Sequence, residues 1–162
     1  MRRLLILNLC EGEPVNAGET RRLSVPATDE GIKAALDALE GLWAAQGVSR
    51  AVTWPMEVSL DEVLANVVRH GLAGRGESAQ VELELQLDPG DPPRCEVRIE
   101  DDGPEFDPLR AAAPDTSLGV DERPIGGLGI ELVRRLMDEV HYERKDGRNR
   151  LRLVRRLVAM EQ

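Results

Sequence analysis

Apolar residues recur at helical spacing in three stretches of the chain. In the first, TDEGIKAALDALEGLWAAQG, residues 28–47, they form a stripe that is expected to be buried: Ile32, Leu36, Leu39 and Trp43. Thr28 or Asp29 is placed to cap the N-terminus of this helix, and Gly47 is placed to end it. The pattern therefore predicts a surface helix that packs through one face.

Two further stretches predict helices of the same kind. TWPMEVSLDEVLANVVRHG, residues 53–71, predicts a helix with Pro55 in its first turn and Gly71 as its stop. Its expected buried face is Met56, Leu60, Val63, Leu64 and Val67. GGLGIELVRRLMDEV, residues 126–140, opens on a glycine cluster. Its expected inner face is Leu128, Leu132, Val133, Leu136 and Met137.

Strict alternation of apolar and polar residues marks the strands. RRLSVP predicts a strand that ends at Pro26, and residues 79–101 predict an antiparallel hairpin. Residues 140–157 predict a closing hairpin with its turn at Asp146–Gly147. The first run, MRRLLILNLC, is interpreted as a strand or an ordered arm. Residues 103–125 show no period, and a gap this long between ordered elements is usually functional or mobile.

The order of these elements predicts the fold class. Strand, helix, helix, hairpin, loop, helix and hairpin favour a two-layer α+β sandwich. In such a fold the helices cover one face of a mixed, mostly antiparallel sheet, and the other face is solvated. A chain of 162 residues that is 41% hydrophobic has enough apolar material for one core, so a single domain is expected.

Composition narrows the function classes. A net charge of −9 and only four aromatic residues argue against direct nucleic-acid binding, which depends on clustered cations and stacking platforms. Cys10 and Cys95 have no metal-site or disulfide-framework spacing. The initial apolar run of about seven residues lacks a signal-peptide cleavage site, and no stretch reaches the roughly 20 apolar residues of a membrane span. We therefore expect a cytoplasmic protein with a protein partner or a small ligand.

The second predicted helix carries the first group of candidate functional residues. Glu62, Asn66 and His70 are spaced at i, i+4 and i+8, so they line one strip of its surface. An amide oxygen is a ligand for a hard cation such as Mg²⁺, and a carboxylate one turn away can orient or deprotonate a nucleophile. An ordinary solvated helix face explains the same spacing.

The second group lies in IEDDGPEFDP, residues 99–108, where three acids end an apolar strand. If Cys95, Val97 and Ile99 point into the core, Asp101 does so as well, whereas its acidic neighbours face solvent. A buried carboxylate needs a partner, and the exocyclic amino group of a purine would serve, with Gly103 leaving room for the ring. The alternative is an acidic turn in which Asp101 caps local amides.

The third group is IGGLGIELVRRL, in which Gly126, Gly127 and Gly129 open a helix. Backbone N–H groups at the positive end of a helix dipole form a natural phosphate site. The stretch lacks the pattern of a Walker A loop and follows a loop rather than a strand, so it is not a dinucleotide fingerprint either. A hinge whose glycines only permit close packing is the alternative.

Taken in order, the three groups resemble the motifs of the GHKL ATP-binding superfamily, and within it the bacterial anti-sigma factor serine/threonine kinases. LDEVLANVVRHG resembles the N box, IEDDGPEFDP resembles the D-x-G box, and the stretch from GGLG to the closing hairpin resembles the second glycine box. The resemblance runs from about Arg21 to Leu157. Residues 1–18 have no clear counterpart and form an N-terminal extension.

The resemblance implies a Bergerat-type ATP-binding fold and a role for each matching residue. Glu62 would be the base that helps a substrate hydroxyl attack, and Asn66 would hold the Mg²⁺ that bridges the ATP phosphates. Asp101 would bind the adenine amino group, with Gly103 beside the ring. Residues 104–125 would form a lid over the nucleotide. The residues implied at the phosphates are Gly127, Leu128 and Gly129.

The resemblance also implies partners. Such kinases phosphorylate a STAS-domain antagonist protein, bind a sigma factor in competition with it, and are typically homodimers.

A nucleotide-gated binding module without kinase activity is the alternative function. A two-component histidine kinase is disfavoured because no upstream dimerising helix carries a histidine, and the chain is too short for the larger ATPases of the superfamily. His70 is interpreted as structural or phosphate-adjacent. The basic hairpin, residues 144–156, is read as a wet sheet face in preference to a partner-binding patch.

Overall fold

The computed structural model describes residues 20–75, 78–110 and 127–157, the first two residues of the last range by their backbone only. Its strands are β1 (Thr20–Pro26), β2 (Gln80–Asp88), β3 (Arg94–Asp101), β4 (Glu139–Lys145) and β5 (Arg148–Arg156). Its α-helices are α1 (Asp29–Ala45), α2 (Arg50–Asn66) and α3 (Gly127–Leu136). A π-helical turn, Val67–Gly71, follows α2, and a short 3₁₀ turn, Pro108–Arg110, follows β3.

The five strands form one antiparallel sheet in the order β1-β2-β3-β5-β4. Alternate residues of β2 and β3 are buried, as a half-covered sheet requires. Register places Ile99 of β3 between Leu83 of β2 and Leu151 of β5, so apolar side chains stack across the central strands. The α+β sandwich with helices on one face is confirmed.

The core lies between this face of the sheet and the helices. From α1, Leu39 and Trp43 are buried as predicted, and from α2, Met56 and Leu60 are fully buried. Leu36, from the same predicted stripe, is only half-buried at the edge of the core. Each fully buried side chain of this size contributes roughly 1.5–3 kcal/mol, so the helix layer is held chiefly by these contacts.

The predicted limits of α1 are confirmed. The Thr28 hydroxyl accepts a hydrogen bond from Gly31 N at 3.1 Å, which is an N-terminal cap. Gly47 follows the helix at a φ of +65°, a conformation that glycine adopts without steric cost. A Cβ at residue 31 would overlap the carbonyl oxygen of Pro26, so this glycine lets the helix start against the end of β1.

The predicted start of α2 is wrong by about one turn. The helix begins at Arg50, so Pro55 lies inside it and not in its first turn. Val52 is buried one turn before Met56 on the same face, and the apolar period therefore starts earlier than the proline suggested. Pro55 has no N–H to donate, so the helix forgoes one internal hydrogen bond at that point.

The prediction that Leu132 belongs to the inner face of α3 is also wrong. Leu132 is 43% exposed, whereas Ile130, Val133 and Met137 are buried. The buried residues are spaced at i, i+3 and i+7, and Leu132 lies about 100° around the helix from Val133. Leu136 is half-buried, and the side chain of Leu128 falls outside the description.

A network of ion pairs covers the face of the sheet that lies away from the helices. Arg98 contacts Glu84 at 3.2 Å and Glu96 at 2.7 Å, and Arg152 joins Glu96 to Glu139 at 2.8 Å each. Such partly exposed pairs contribute little individually. Arginines of the basic hairpin have acidic partners on this face, which favours its interpretation as a solvated sheet face. In the described ranges no helix is long and apolar enough to cross a bilayer.

Candidate active site

Asp101 is the last residue of β3 and is only 3% exposed. Its Oδ1 accepts hydrogen bonds at 2.9 Å from Gly103 N and from Asn149 Nδ2. The inward direction predicted from strand parity is confirmed, and the Gly103 bond shows that the acid also caps a local amide. Among the described residues no hydrogen bond reaches its Oδ2, so one oxygen of a buried carboxylate remains available for a ligand.

Asn149, on β5, is a site residue that sequence reasoning missed. Its Nδ2 donates to Asp101 Oδ1 and to Pro104 O at 2.8 Å. Its Oδ1 accepts from Tyr142 Oη at 2.8 Å and from Phe106 N at 3.1 Å. All four bonds available to an amide side chain are made, which fixes the buried carboxylate and the segment after β3 together. The signal was present in RNRLRLV, where Asn149 shares strand parity with buried leucines.

Gly103 lies where a side chain cannot fit. A Cβ there would stand 2.6 Å from Leu72 Cδ2, 2.9 Å from Asp101 Oδ1 and 3.0 Å from Gly71 O. The π-helical turn after α2 brings Gly71 to this point, as wide turns often do at functional sites. The space beside Asp101 is therefore bounded by backbone on one side, which suits the close approach of a flat ring.

Phe106 closes the other side of this space. Its ring packs on Gly71 and lies 6.2 Å from the His70 ring, centroid to centroid, at an angle of 35°. The cavity that remains beside Asp101 has a volume of about 10 Å³, room for about one water molecule. A purine enters only if a wall moves. Phe106 and Pro108 can move more readily than the sheet residues, because they belong to the irregular segment after β3.

Tyr142 forms part of the same wall. Burial, together with the nearby carboxylates of Glu105 and Asp107, raises the pKa of the Tyr142 phenol above its ordinary value. The phenol is therefore neutral and donates its proton to Asn149 Oδ1. Arg144 Nη1 donates to Gly103 O at 2.7 Å and holds the turn after β3 from the same strand.

The predicted pair on α2 meets the start of α3. Asn66 Nδ2 donates to Glu62 Oε1 at 3.4 Å, and both side chains are half-buried. A Cβ at Gly129 would overlap the Glu62 carboxylate, so the third glycine of the cluster leaves the space that this carboxylate occupies. Among the described residues Asn66 Oδ1 has no hydrogen bond and is free to bind a cation.

The structure thus joins the predicted groups at two points. Glu62, Asn66 and Gly129 meet at the α2–α3 junction, while Asp101 and Gly103 meet under the π-turn. Val67, the first residue of the π-helical turn after Asn66, lines the small cavity beside Asp101, so the two points are neighbours along the chain. His70 is exposed and touches Phe106. The backbone of Gly127 and Leu128 opens α3, and residues 111–125 of the predicted lid lie outside the described residues, as do residues 1–18.

Comparison with known proteins shows the family of this chain. Residues 25–155 match the family model of the histidine kinase-like ATPase domain. The chain is 33% identical to serine/threonine-protein kinase BtrW of Bordetella bronchiseptica, over 84% of this chain and 92% of that protein. It is 26% identical to serine-protein kinase RsbW of Listeria monocytogenes, over 77% of this chain and 80% of that protein.

A solved structure shares the fold. The structure of the RsbU and RsbW domains of a Mycobacterium tuberculosis protein superposes with a TM-score of 0.61 at 16% identity, covering 86% of this chain and 32% of that longer one. Fold, motif order and relatives agree. The chain therefore belongs to the histidine kinase-like ATPase family, within its group of bacterial anti-sigma factor serine/threonine-protein kinases.

Proposed function

We propose that this protein transfers the γ-phosphoryl group of ATP to a serine or threonine hydroxyl of a partner protein, with Glu62 as the general base. The observation that carries the proposal is the position of the Glu62 carboxylate, held by Asn66 on one side and seated over Gly129 on the other. A base placed at the start of a glycine-rich helix stands beside the part of the site that suits phosphates. Phosphoryl transfer depends chiefly on such positioning.

Asp101 supports the choice of adenine. Its free Oδ2 can accept a hydrogen bond from the exocyclic amino group of the base, while Oδ1 is held by Gly103 and Asn149. Guanine carries a carbonyl oxygen at the equivalent position, so two acceptors would face each other. Because an unpaired buried acceptor is costly, this arrangement favours ATP over GTP.

Asn66 fits the proposed magnesium site. Mg²⁺ keeps several waters and takes few protein ligands beside the substrate phosphates. A single free amide oxygen at the edge of the phosphate region meets this requirement, whereas the described residues contain no cluster of three acidic, His or Cys ligands. When bound, the cation would neutralise charge on the phosphate oxygens. In this proposal Gly127, Leu128 and Gly129 hold the phosphates, and Asn66 holds the cation.

The transfer step uses the chain's own groups as follows. The acceptor hydroxyl gives its proton to the Glu62 carboxylate as its oxygen bonds to the γ-phosphorus. The bond from that phosphorus to the β-phosphate oxygen breaks, and ADP leaves with the electron pair. The peptide N–H groups at the start of α3 lie at the positive end of a helix of ten residues, where they stabilise phosphate charge.

The proposed acceptor is a STAS-domain anti-sigma factor antagonist, and the competing partner is a sigma factor. The support is the family assignment and the two relatives named as RsbW- and BtrW-type kinases. The same proposal includes a homodimer and a lid that residues 104–125 form over the nucleotide. A binding module that holds a partner without phosphorylating it is the second candidate, favoured by the nearly closed space beside Asp101.

Transfer of labelled γ-phosphate to purified STAS-domain proteins of the source organism distinguishes the two. Glu62→Gln should lower kcat by about 10²- to 10⁴-fold, the usual contribution of a general base, and leave ATP affinity nearly unchanged. Glu40→Gln is the matched control, because Glu40 is an exposed acid of α1. An unaltered rate in Glu62→Gln would refute the role of Glu62. Partner binding without transfer by the wild type would establish the binding module.

A further inference from the structure

A groove of about 400 Å³ runs between α1 and α2. Its apolar residues, Ile32, Leu36 and Ala65, are buried or half-buried and form the floor. Charged residues form the rim: Asp29, Lys33, Asp37, Asp61, Glu62 and Arg69. The groove is partly open to solvent, so it can receive a segment of another molecule.

The groove runs parallel to the site already described. Asp61 and Ala65 are one turn apart on α2, and Arg69 follows four residues later in the π-helical turn. The strip of α2 that begins at Glu62 lies one residue further round the helix. Residues 46–49 join α1 to α2 as an antiparallel hairpin, and the Asp29–Arg69 pair marks one end of the groove. Asp61 lies eight residues from Arg69, or about 12 Å along the axis. That length fits an extended segment of about four residues.

Glu62 belongs to both places. It lines the groove, and its carboxylate also fills the space over Gly129 at the start of α3. A segment lying in the groove can therefore bring a hydroxyl to the proposed base, which lies beside the helix start that would hold the phosphates.

The charges of the rim favour a cationic occupant. Lys33 Nζ is paired with Asp37 at 2.7 Å, and Arg69 Nη2 is paired with Asp29 at 3.7 Å. Within the described part of the chain, Asp61 makes no hydrogen bond or ion pair. Asp61 and Glu62 therefore leave a surplus of two negative charges at one end of the groove.

We propose that the α1–α2 groove binds the acceptor segment of the partner protein, with its hydroxyl at Glu62 and a lysine or arginine of the same segment against Asp61. This inference rests on the proposed kinase function and adds a specificity residue to it. Asp61 is given no part in the chemical step, because the carboxylate that contacts the start of α3 is that of Glu62, whereas Asp61 is an exposed residue of the groove. It selects which hydroxyl-bearing segment is held.

Steady-state kinetics of transfer to the STAS-domain protein that the wild type phosphorylates test this. Asp61→Lys should raise KM for that protein by about three- to tenfold, with kcat and ATP affinity unchanged, because one partly exposed attraction becomes a repulsion. Glu143→Lys makes the same change of charge on β4, where Glu143 is exposed, and should leave KM as it is. Replacing the basic residue beside the acceptor hydroxyl by Glu should restore the KM of Asp61→Lys.

The outcomes separate the two proposals. A wild type that phosphorylates no STAS-domain protein overturns the kinase function, and the inference falls with it. Transfer by the wild type with equal KM values for Asp61→Lys and Glu143→Lys overturns the inference alone. A rise in KM that the acidic substrate variant does not reverse also overturns it, because the effect would then not come from a charge contact.

Discussion

Replacing Gly129 by Ala tests the contact between the glycine cluster and the proposed base. An added Cβ would lie much closer than 3.0 Å to Glu62 Cδ and Oε1, and Cβ atoms essentially never show contacts shorter than that distance. The carboxylate is the far end of a flexible side chain, so it can retreat, and it must move by roughly 1 Å. A shift of that size at a catalytic group can cost about 10²-fold in rate.

The effect on stability should be small. Ala is more favourable than Gly inside a helix by about 1 kcal/mol, and forcing Glu62 from its rotamer costs about the same, on the order of 0.5–1.5 kcal/mol. The two effects oppose each other, so the free energy of unfolding should change by less than about 1 kcal/mol. A loss of transfer in this variant can therefore be told apart from a loss of folding.

The assay is phosphotransfer alongside urea unfolding. Gly41→Ala, in the exposed face of α1 with nothing within 4 Å of the new Cβ, is the control; it should gain up to about 1 kcal/mol and keep full activity. Gly129→Ala with wild-type transfer would refute the reasoning. So would a loss of transfer that merely follows a large loss of stability.

Three further predictions concern the packing. Asn149→Ala should lower the free energy of unfolding by about 2–4 kcal/mol, because four hydrogen bonds of a buried amide are lost. Tyr142→Phe removes one of these bonds and should lower it by about 1 kcal/mol. Urea titration compares the two variants. Gly31→Ala should destabilise the fold by about 1–3 kcal/mol in the same assay, since its Cβ overlaps rigid backbone, and an unchanged midpoint would contradict this. Burial raises the pKa of the Cys95 thiol from 9.0 to about 12. The stability that the neutral thiol contributes is therefore fully present below pH 9 and is lost as the pH rises toward 12. In a Cys10→Ser variant, native protein at pH 8 should react slowly with a thiol reagent and denatured protein quickly; equal rates would show that Cys95 is accessible.

Periodicity predicted most of the fold because most buried residues lie on faces of regular elements. The strands and the inward direction of Asp101 follow from spacing, and the limits of α1 follow from Thr28 and Gly47 at its ends. It was wrong where one local signal competed with packing. Pro55 suggested a helix start, but burial of Val52 extends α2 by a turn, and the position of Ile130 on the inner face of α3 turns Leu132 toward solvent.

The site was harder to predict because its parts meet only in three dimensions. Spacing placed Glu62 and Asn66 on one strip, but the contact with Gly129 depends on how α3 packs against α2. Strand parity indicates only that Asn149 points inward. Its bond to Asp101, 48 residues away, depends on the pairing of β3 with β5. The cavity beside Asp101 depends on the position of Phe106 in an irregular segment, for which periodicity gives no rule.

The most direct test of the central claim is calorimetric titration with ATP and Mg²⁺ of the wild type, Asp101→Asn and Asp102→Asn. Asp102 is an exposed neighbour paired with Arg75 at 2.7 Å, so its variant makes the same change of charge away from the proposed adenine contact. A hydrogen bond to a charged group contributes about 1.5–3 kcal/mol, so Asp101→Asn should weaken binding by at least about tenfold while Asp102→Asn binds like the wild type. Equal affinity in all three proteins, or no binding by the wild type, would contradict the account.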